Sequence, residues 1–143
     1  MSNVTSFPAE TPYYRAMMPD PDGLPRIGRS ARMLGVRMPE DIAPDKDGMV
    51  RPGIGGMSVA PDSVWSIPNH RRPRGMQRGS TGPATDLIFA VIHVSLASTN
   101  LAVRLDPNRP QLHAFVEPAI QMEFSTYEAN LAETRGDWKK VWP

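Results

Sequence analysis

The chain has 143 residues, near the commonest size for one folded domain, so a single hydrophobic core is expected. Apolar residues make up 40% and aromatics 7%, and 16 prolines and 11 glycines punctuate the chain, which favours short strands and long loops over a helical bundle. The absence of cysteine excludes disulfides and thiolate chemistry, and the three dispersed histidines (His70, His93, His113) make a structural zinc site unexpected; net charge is +1, but Arg71, Arg72, Arg74 and Arg78 cluster with no acid among them, so the rest of the chain is net acidic.

In chain order, residues 1–12 mix Ser, Thr, Pro and Glu without periodicity and read as an N-terminal arm, with the folded domain spanning 13–143. The first residues lack both a basic and an apolar segment, so no cleavable export signal is expected. Tyr13 to Met18 is short and aromatic and is closed by Pro19-Asp20-Pro21-Asp22-Gly23, which predicts a strand followed by a turn. Ser30 to Gly35 has the cap and stop of a brief helix. Pro39, Pro44 and Pro52, with the turn signal Asp47-Gly48, make the stretch from Met38 to Gly56 loop, and Met57 to Ala60 then suits a short strand ended by Pro61.

Residues 61–84, rich in Pro, Gly, Arg and Ser, predict a long functional loop or lid. Leu87 to Val94 is apolar on both alternating faces, as a central strand covered on each side should be, and is far too short for the roughly 20 residues of a membrane span. A turn at Asp106-Pro107-Asn108 precedes an alternating strand, His113 to Glu117, stopped by Pro118. Ser125 and Glu128 have the spacing of a capping box, predicting a helix over Thr126 to Thr134 that buries Tyr127 and Leu131 and ends at Gly136; Trp138 and Trp142 are then placed to hold the C-terminus to the core.

No Walker, dinucleotide-fingerprint, zinc-protease or nucleophile-elbow motif is present. Gly53-Ile54-Gly55-Gly56 resembles part of a phosphate cradle, but it lies between a loop and a strand rather than at a helix N-terminus, so a tight turn is the plainer reading.

Taken together, Tyr14-Arg15-Ala16, Pro39-x-Asp41-Ile42 with Asp47-Gly48, Gly55-Gly56-x-Ser58-Val59, His113-x-x-x-x-Pro118-Ala119-x-x-Met122 and a closing helix ending near Trp138 resemble the type VI secretion exported effector two family. The resemblance runs from Tyr13 onward; the loop 61–84 has no counterpart, and Met57 stands where the family has Thr in Gly-Gly-Thr-Ser. It implies an α+β, ADP-ribosyltransferase-like fold with a split antiparallel sheet, few short helices and long loops. It also implies a cytotoxic effector that acts in the cytoplasm of a cell to which a secretion system delivers it, and that a cognate immunity protein neutralises.

Such a fold implies NAD as the small-molecule partner, used to transfer ADP-ribose to a target or simply hydrolysed. The bond between nicotinamide and ribose breaks through an oxocarbenium-like state, which calls for a cation at the pyrophosphate, a clamp on nicotinamide and a carboxylate near the ribose. Arg15 is then the phosphate ligand, Tyr14 a stacking surface for nicotinamide, Gly55 and Gly56 the approach to the cofactor, Ser58 the group on the nicotinamide ribose, and His113 a hydrogen-bonding partner of cofactor or substrate. Each has a plainer reading, as a surface arginine, a packed tyrosine or a satisfied strand histidine. Glu117 is proposed as the carboxylate on chemistry alone, since it shares the face of His113 by the strand period where the family has an apolar residue.

The arginine cluster reads as a solvated loop, as a seat for an acidic immunity protein, or as a contact for nucleic-acid phosphates. The last is disfavoured because no aromatic residue is interleaved. Two alternatives to NAD cleavage stay open: a toxin of the same fold that acts by binding a target, and an RNA-directed phosphotransferase-like relative.

Overall fold

The computed structural model describes residues 7–143; the first half of the expected N-terminal arm lies outside the described residues. The chain is a mixed α+β protein whose strands all pair antiparallel. Its elements are β1 (Pro12–Met17), β2 (Met49–Val50), β3 (Met57–Val59), a 3₁₀ turn (Val64–Ser66), β4 (Leu87–Ile92), α1 (His93–Ala97), β5 (Leu101–Leu105), β6 (Ala114–Pro118), β7 (Met122–Glu123), α2 (Phe124–Glu133), a second 3₁₀ turn (Arg135–Asp137) and β8 (Lys139–Trp142). Among the described residues, no helix is long and apolar enough to cross a membrane.

Two three-stranded sheets carry the architecture, one in the order β1-β4-β8 and the other β3-β6-β5, with β2 and β7 paired beside them. The two sheets meet at one bridged pair, Tyr14 with Ala60, which exchange both backbone hydrogen bonds at 3.0 and 2.8 Å. Strand period explains how β1 and β4 serve two cores at once. Tyr13, Met17, Phe89 and Val91 enter the main cluster, with Tyr127, Leu131 and Trp138 packing from the C-terminal side. Ala16 and Ile88, one step out of phase, join Ala60 and Ile67 in a smaller cluster that Tyr14, Val64, Met76 and Trp142 cover. Burying a side chain such as Phe89 stabilises by about 2 kcal/mol, so β4, covered on both faces, anchors the fold.

Four expectations from the sequence are corrected. Ser30 to Gly35 is a run of turns: its carbonyls at Ser30, Met33 and Gly35 accept hydrogen bonds from the Arg15 guanidinium and are not available to a helical ladder. The apolar run after Leu87 stops as strand at Ile92, and His93 and Val94 begin α1, with His93 Nδ1 bonded to the Tyr13 hydroxyl at 2.9 Å. No capping box forms, because α2 begins at Phe124 and Glu128 turns outward to a forked pair with Arg29 at 2.6 and 2.9 Å. The helix ends at Glu133, before Gly136, where the buried Thr134 hydroxyl accepts from Trp138 Nε1 at 2.9 Å.

The segment 61–84 is less open than its composition suggests. Pro73 bridges Gly82, Gly82 N–H donates to Arg72 O and Arg74 N–H to Gly82 O, so the chain folds back on itself as an arm. Its inner residue Ile67 packs under β1 and β4.

Candidate functional site

A cleft of about 420 Å³ opens at the seam between the two sheets, where the Tyr14–Ala60 bridge holds β1 against β3. Tyr14 and Arg15 line it from β1, Gly56 and Ser58 from β3 and its approach, and His113 from the loop before β6. The remaining walls come from Arg37, Glu40 and Asp41, from His70 and Arg71 of the arm, and from Arg109.

Arg15 forms the floor. Only 7% exposed, it donates from Nε and Nη2 to Met33 O at 3.2 and 2.9 Å, and from Nη1 to Ser58 O at 2.7 Å. Burial pushes its guanidinium down to about 10; the nearby Asp41 opposes that shift and Arg71 adds to it. It is therefore a cation at neutral pH, with carbonyls rather than a carboxylate as its direct partners. The fork that the sequence reading offered to a phosphate is thus engaged in holding the loop 30–35, and Arg15 acts on the cleft chiefly through its charge. That loop is pinned a second time by Arg32, which grips the buried Asp86 at 2.7 Å.

The paired glycines serve close packing. A Cβ at Gly55, where φ is +137°, would lie 2.2 Å from Asp41 O, and one at Gly56 would lie 2.4 Å from Val116 O. Gly56 N–H already donates to Asp41 O at 3.0 Å, in keeping with a tight turn rather than a phosphate cradle; of the two glycines expected to form the approach to a cofactor, Gly56 lines the cleft and Gly55 does not, which corrects the assignment of Gly55. Beneath them the buried Tyr127 hydroxyl donates to Val116 O and accepts from Met57 N–H at 3.2 Å, clamping β3 to β6 under the site; burial pushes the pKa of this hydroxyl up and keeps it protonated.

Ser58 and His113 are joined directly. His113 Nε2 lies 2.9 Å from Ser58 Oγ, and on its far side Nδ1 lies 2.8 Å from Asp106 Oδ2. The hydrogen bond to His113 holds the Asp106 carboxyl below its ordinary value, with help from Asn108 N–H, which donates to Oδ1 at 2.9 Å, and from Arg109. Asp106 N–H in turn donates to His113 O at 2.9 Å, so the loop 106–113 closes on itself and presents the imidazole to β3.

Glu117 shares the face of His113 and Phe115 but sits at the far end of β6, away from the cleft. It is 6% exposed, and its carboxylate accepts from Gly53 N–H at 2.8 Å and Arg104 Nε at 3.0 Å, while the Arg104 guanidinium covers the Phe115 ring. The strand period placed it on the correct face without measuring the distance along it, and this corrects its assignment as the carboxylate of the cleft. Glu40 lines the cleft instead, exposed and, among the described residues, without an ion pair. Its neighbour Asp41 is paired with Arg37 at 2.8 Å: burial pushes the Asp41 carboxyl up, and the side-chain and backbone hydrogen bonds from Arg37 outweigh that and hold it low.

The sequence reading also passed over Asp106 and Arg109. Asp106-Pro107-Asn108 was legible as a turn, but a turn signal does not say where its carboxylate points. The arginine cluster divides: Arg71 faces the cleft, Arg72 is buried with Nη1 on Trp65 O at 3.2 Å and its Nε unpartnered, and Arg74 and Arg78 face solvent. Among the described residues, no three metal-ligating side chains converge. No family model matches the chain, and neither curated proteins nor solved structures include one that matches it.

Proposed function

We propose that this chain is an NAD-using toxin of ADP-ribosyltransferase-like fold, which transfers ADP-ribose from NAD or hydrolyses it, and which a cognate immunity protein restrains. The observation that carries the reading is the cleft at the sheet seam, where Tyr14, Ser58 and His113 gather above a buried guanidinium with no carboxylate in direct contact. Its volume falls within the roughly 300–1,000 Å³ typical of small-molecule sites.

The chemistry distributes over the walls as follows. Arg15 is buried at an electrostatic cost, so an anionic ligand relieves it, and Arg71 and Arg109, which also line the cleft, supply the guanidinia that a pyrophosphate takes up. Tyr14 offers a ring to nicotinamide, and Ser58 and His113 offer polar atoms to the nicotinamide ribose. Glu40 supplies the negative charge that stabilises an oxocarbenium-like ribose. Arg104 and Glu117 stay outside the reaction as a pair that seats Phe115.

Incubation of the purified protein with NAD, followed by chromatography for free nicotinamide, tests this. Release that is lost in Ser58→Ala and His113→Gln, both still folded, supports it. No release, together with no heat of NAD binding by calorimetry, overturns it.

A further inference from the structure

We infer that Asp106, His113 and Ser58 form a proton relay, in which Asp106 is the positioning residue and His113 the base that takes the proton of a hydroxyl acceptor, water or alcohol, as it attacks the ribose of NAD. The inference rests on the NAD reading above and adds to it the base, its support and the class of acceptor.

An ionised carboxylate only accepts hydrogen bonds, so the contact between Asp106 Oδ2 and His113 Nδ1 at 2.8 Å puts the proton on Nδ1. In the neutral ring Nε2 is then a bare lone pair, and its contact with Ser58 Oγ at 2.9 Å has the hydroxyl donating. The chain of bonds therefore has one direction, from Ser58 through the imidazole to Asp106, and it leaves the oxygen lone pairs of Ser58 in the cleft to accept a proton from a third group. A nucleophile, its base and a third group that orients the base have this same geometry in acyl-transfer sites. Here Ser58 sits on β3 with its own carbonyl held by Arg15 and its hydroxyl by His113, so backbone and side chain are each fixed by a separate bond.

The reaction balances. The bond from ribose C1′ to the nicotinamide nitrogen breaks and its electron pair leaves with nicotinamide, which becomes neutral. The acceptor oxygen forms a bond to C1′, its proton passes to Ser58 as Ser58 gives its own to His113 Nε2, and the imidazolium later returns that proton to water. A base is needed because a hydroxyl carries a proton that must leave as the new bond forms. Asp106 stabilises the imidazolium and touches neither NAD nor acceptor.

Asp106→Asn tests the relay with little disturbance, because the retained Oδ1 still accepts from Asn108 N–H and so turns the new amide NH₂ toward His113 Nδ1. Nδ1 must then accept, and the proton moves to Nε2. In protein labelled with ¹⁵N-histidine, the ring nitrogen shifts of His113, assigned with His113→Gln, are expected to show Nδ1–H in the wild type and Nε2–H in Asp106→Asn. Nicotinamide release is expected to fall about a hundredfold in that variant while its Kd for NAD stays unchanged. Asp106→Glu, which keeps a carboxylate, restores part of the rate. A wild-type imidazole protonated on Nε2, or a variant whose tautomer switches while release continues at the wild-type rate, overturns the relay and leaves NAD cleavage standing. No release from the wild type overturns the NAD reading and the reaction assigned to the relay with it.

Discussion

The floor and the rim of the cleft are built from the same kind of side chain by opposite rules. On the floor, Arg15 is surrounded by carbonyls of the 30–35 loop and of Ser58, and Tyr127 below it satisfies one donor and one acceptor of the paired strands. On the rim, Arg71 lines the cleft with no ion pair among the described residues and Arg109 holds only a loose one, 3.9 Å from Asp106, while the arm that carries Arg71 has two buried polar atoms, Arg72 Nε and Ser80 Oγ, without hydrogen-bond partners among the described residues. A guanidinium whose hydrogens are engaged by the backbone is part of the frame, and one left to solvent is available to a ligand. Substitutions on the floor should therefore cost stability, and those on the rim should cost affinity.

The largest test of that division is Arg15→Met, which strips donors from the carbonyls of Met33 and Ser58; urea denaturation should show a loss of about 4 kcal/mol. A stable Arg15→Met protein that fails only to bind NAD would move Arg15 to the rim class. Tyr127→Phe should cost about 2 kcal/mol by the same measurement, since Met57 N–H and Val116 O lose their buried partner. Arg71→Ala, by contrast, should leave the unfolding midpoint within about 0.5 kcal/mol of the parent and weaken NAD binding about tenfold in a calorimeter, the weakening fading as salt is raised.

The smallest effect is on pH dependence. The Asp106 carboxyl lies lower in the folded chain than its ordinary 3.8, chiefly through the hydrogen bond with His113, so its contribution to stability is present above that value and is lost as pH falls through the lower folded value. Thermal melts between neutral pH and pH 3 should therefore decline more steeply for the parent than for Asp106→Asn. Parallel declines would show that the bond to His113 adds nothing to stability.

The sequence made the framework legible where a strand advertises itself by composition. β1, β3, β4 and β6 combine aromatic or β-branched residues with turn-forming neighbours, and each was anticipated to within one or two residues at its ends. β2 and β7 are only two residues long and exist because they pair with each other, while β8 carries Lys139 and Lys140 outward and is a strand because β4 offers it an edge. β5 has its alternation blurred by half-burial along Ala102 to Leu105.

In the site, Ser58 and His113 are each reached from the sequence separately, through the family resemblance, and nothing in the sequence joins them. What Arg15 does could not be read there, because the carbonyls that engage it come from a loop whose sequence is compatible with a helix. Asp106 escaped for a related reason: the direction of its carboxylate is set by a loop closed through backbone bonds seven residues apart, and no local spacing encodes that.

The reciprocal bonds between Tyr14 and Ala60 have one more consequence. Alongside the Arg15 bond to Ser58 O they fasten β1 to β3, and they do so with main-chain atoms that, short of a proline, no side-chain substitution removes. The cleft is thus closed along that edge by main-chain bonds, whereas the arm reaches it through side chains, His70 and Arg71 among them, that substitution can change one at a time.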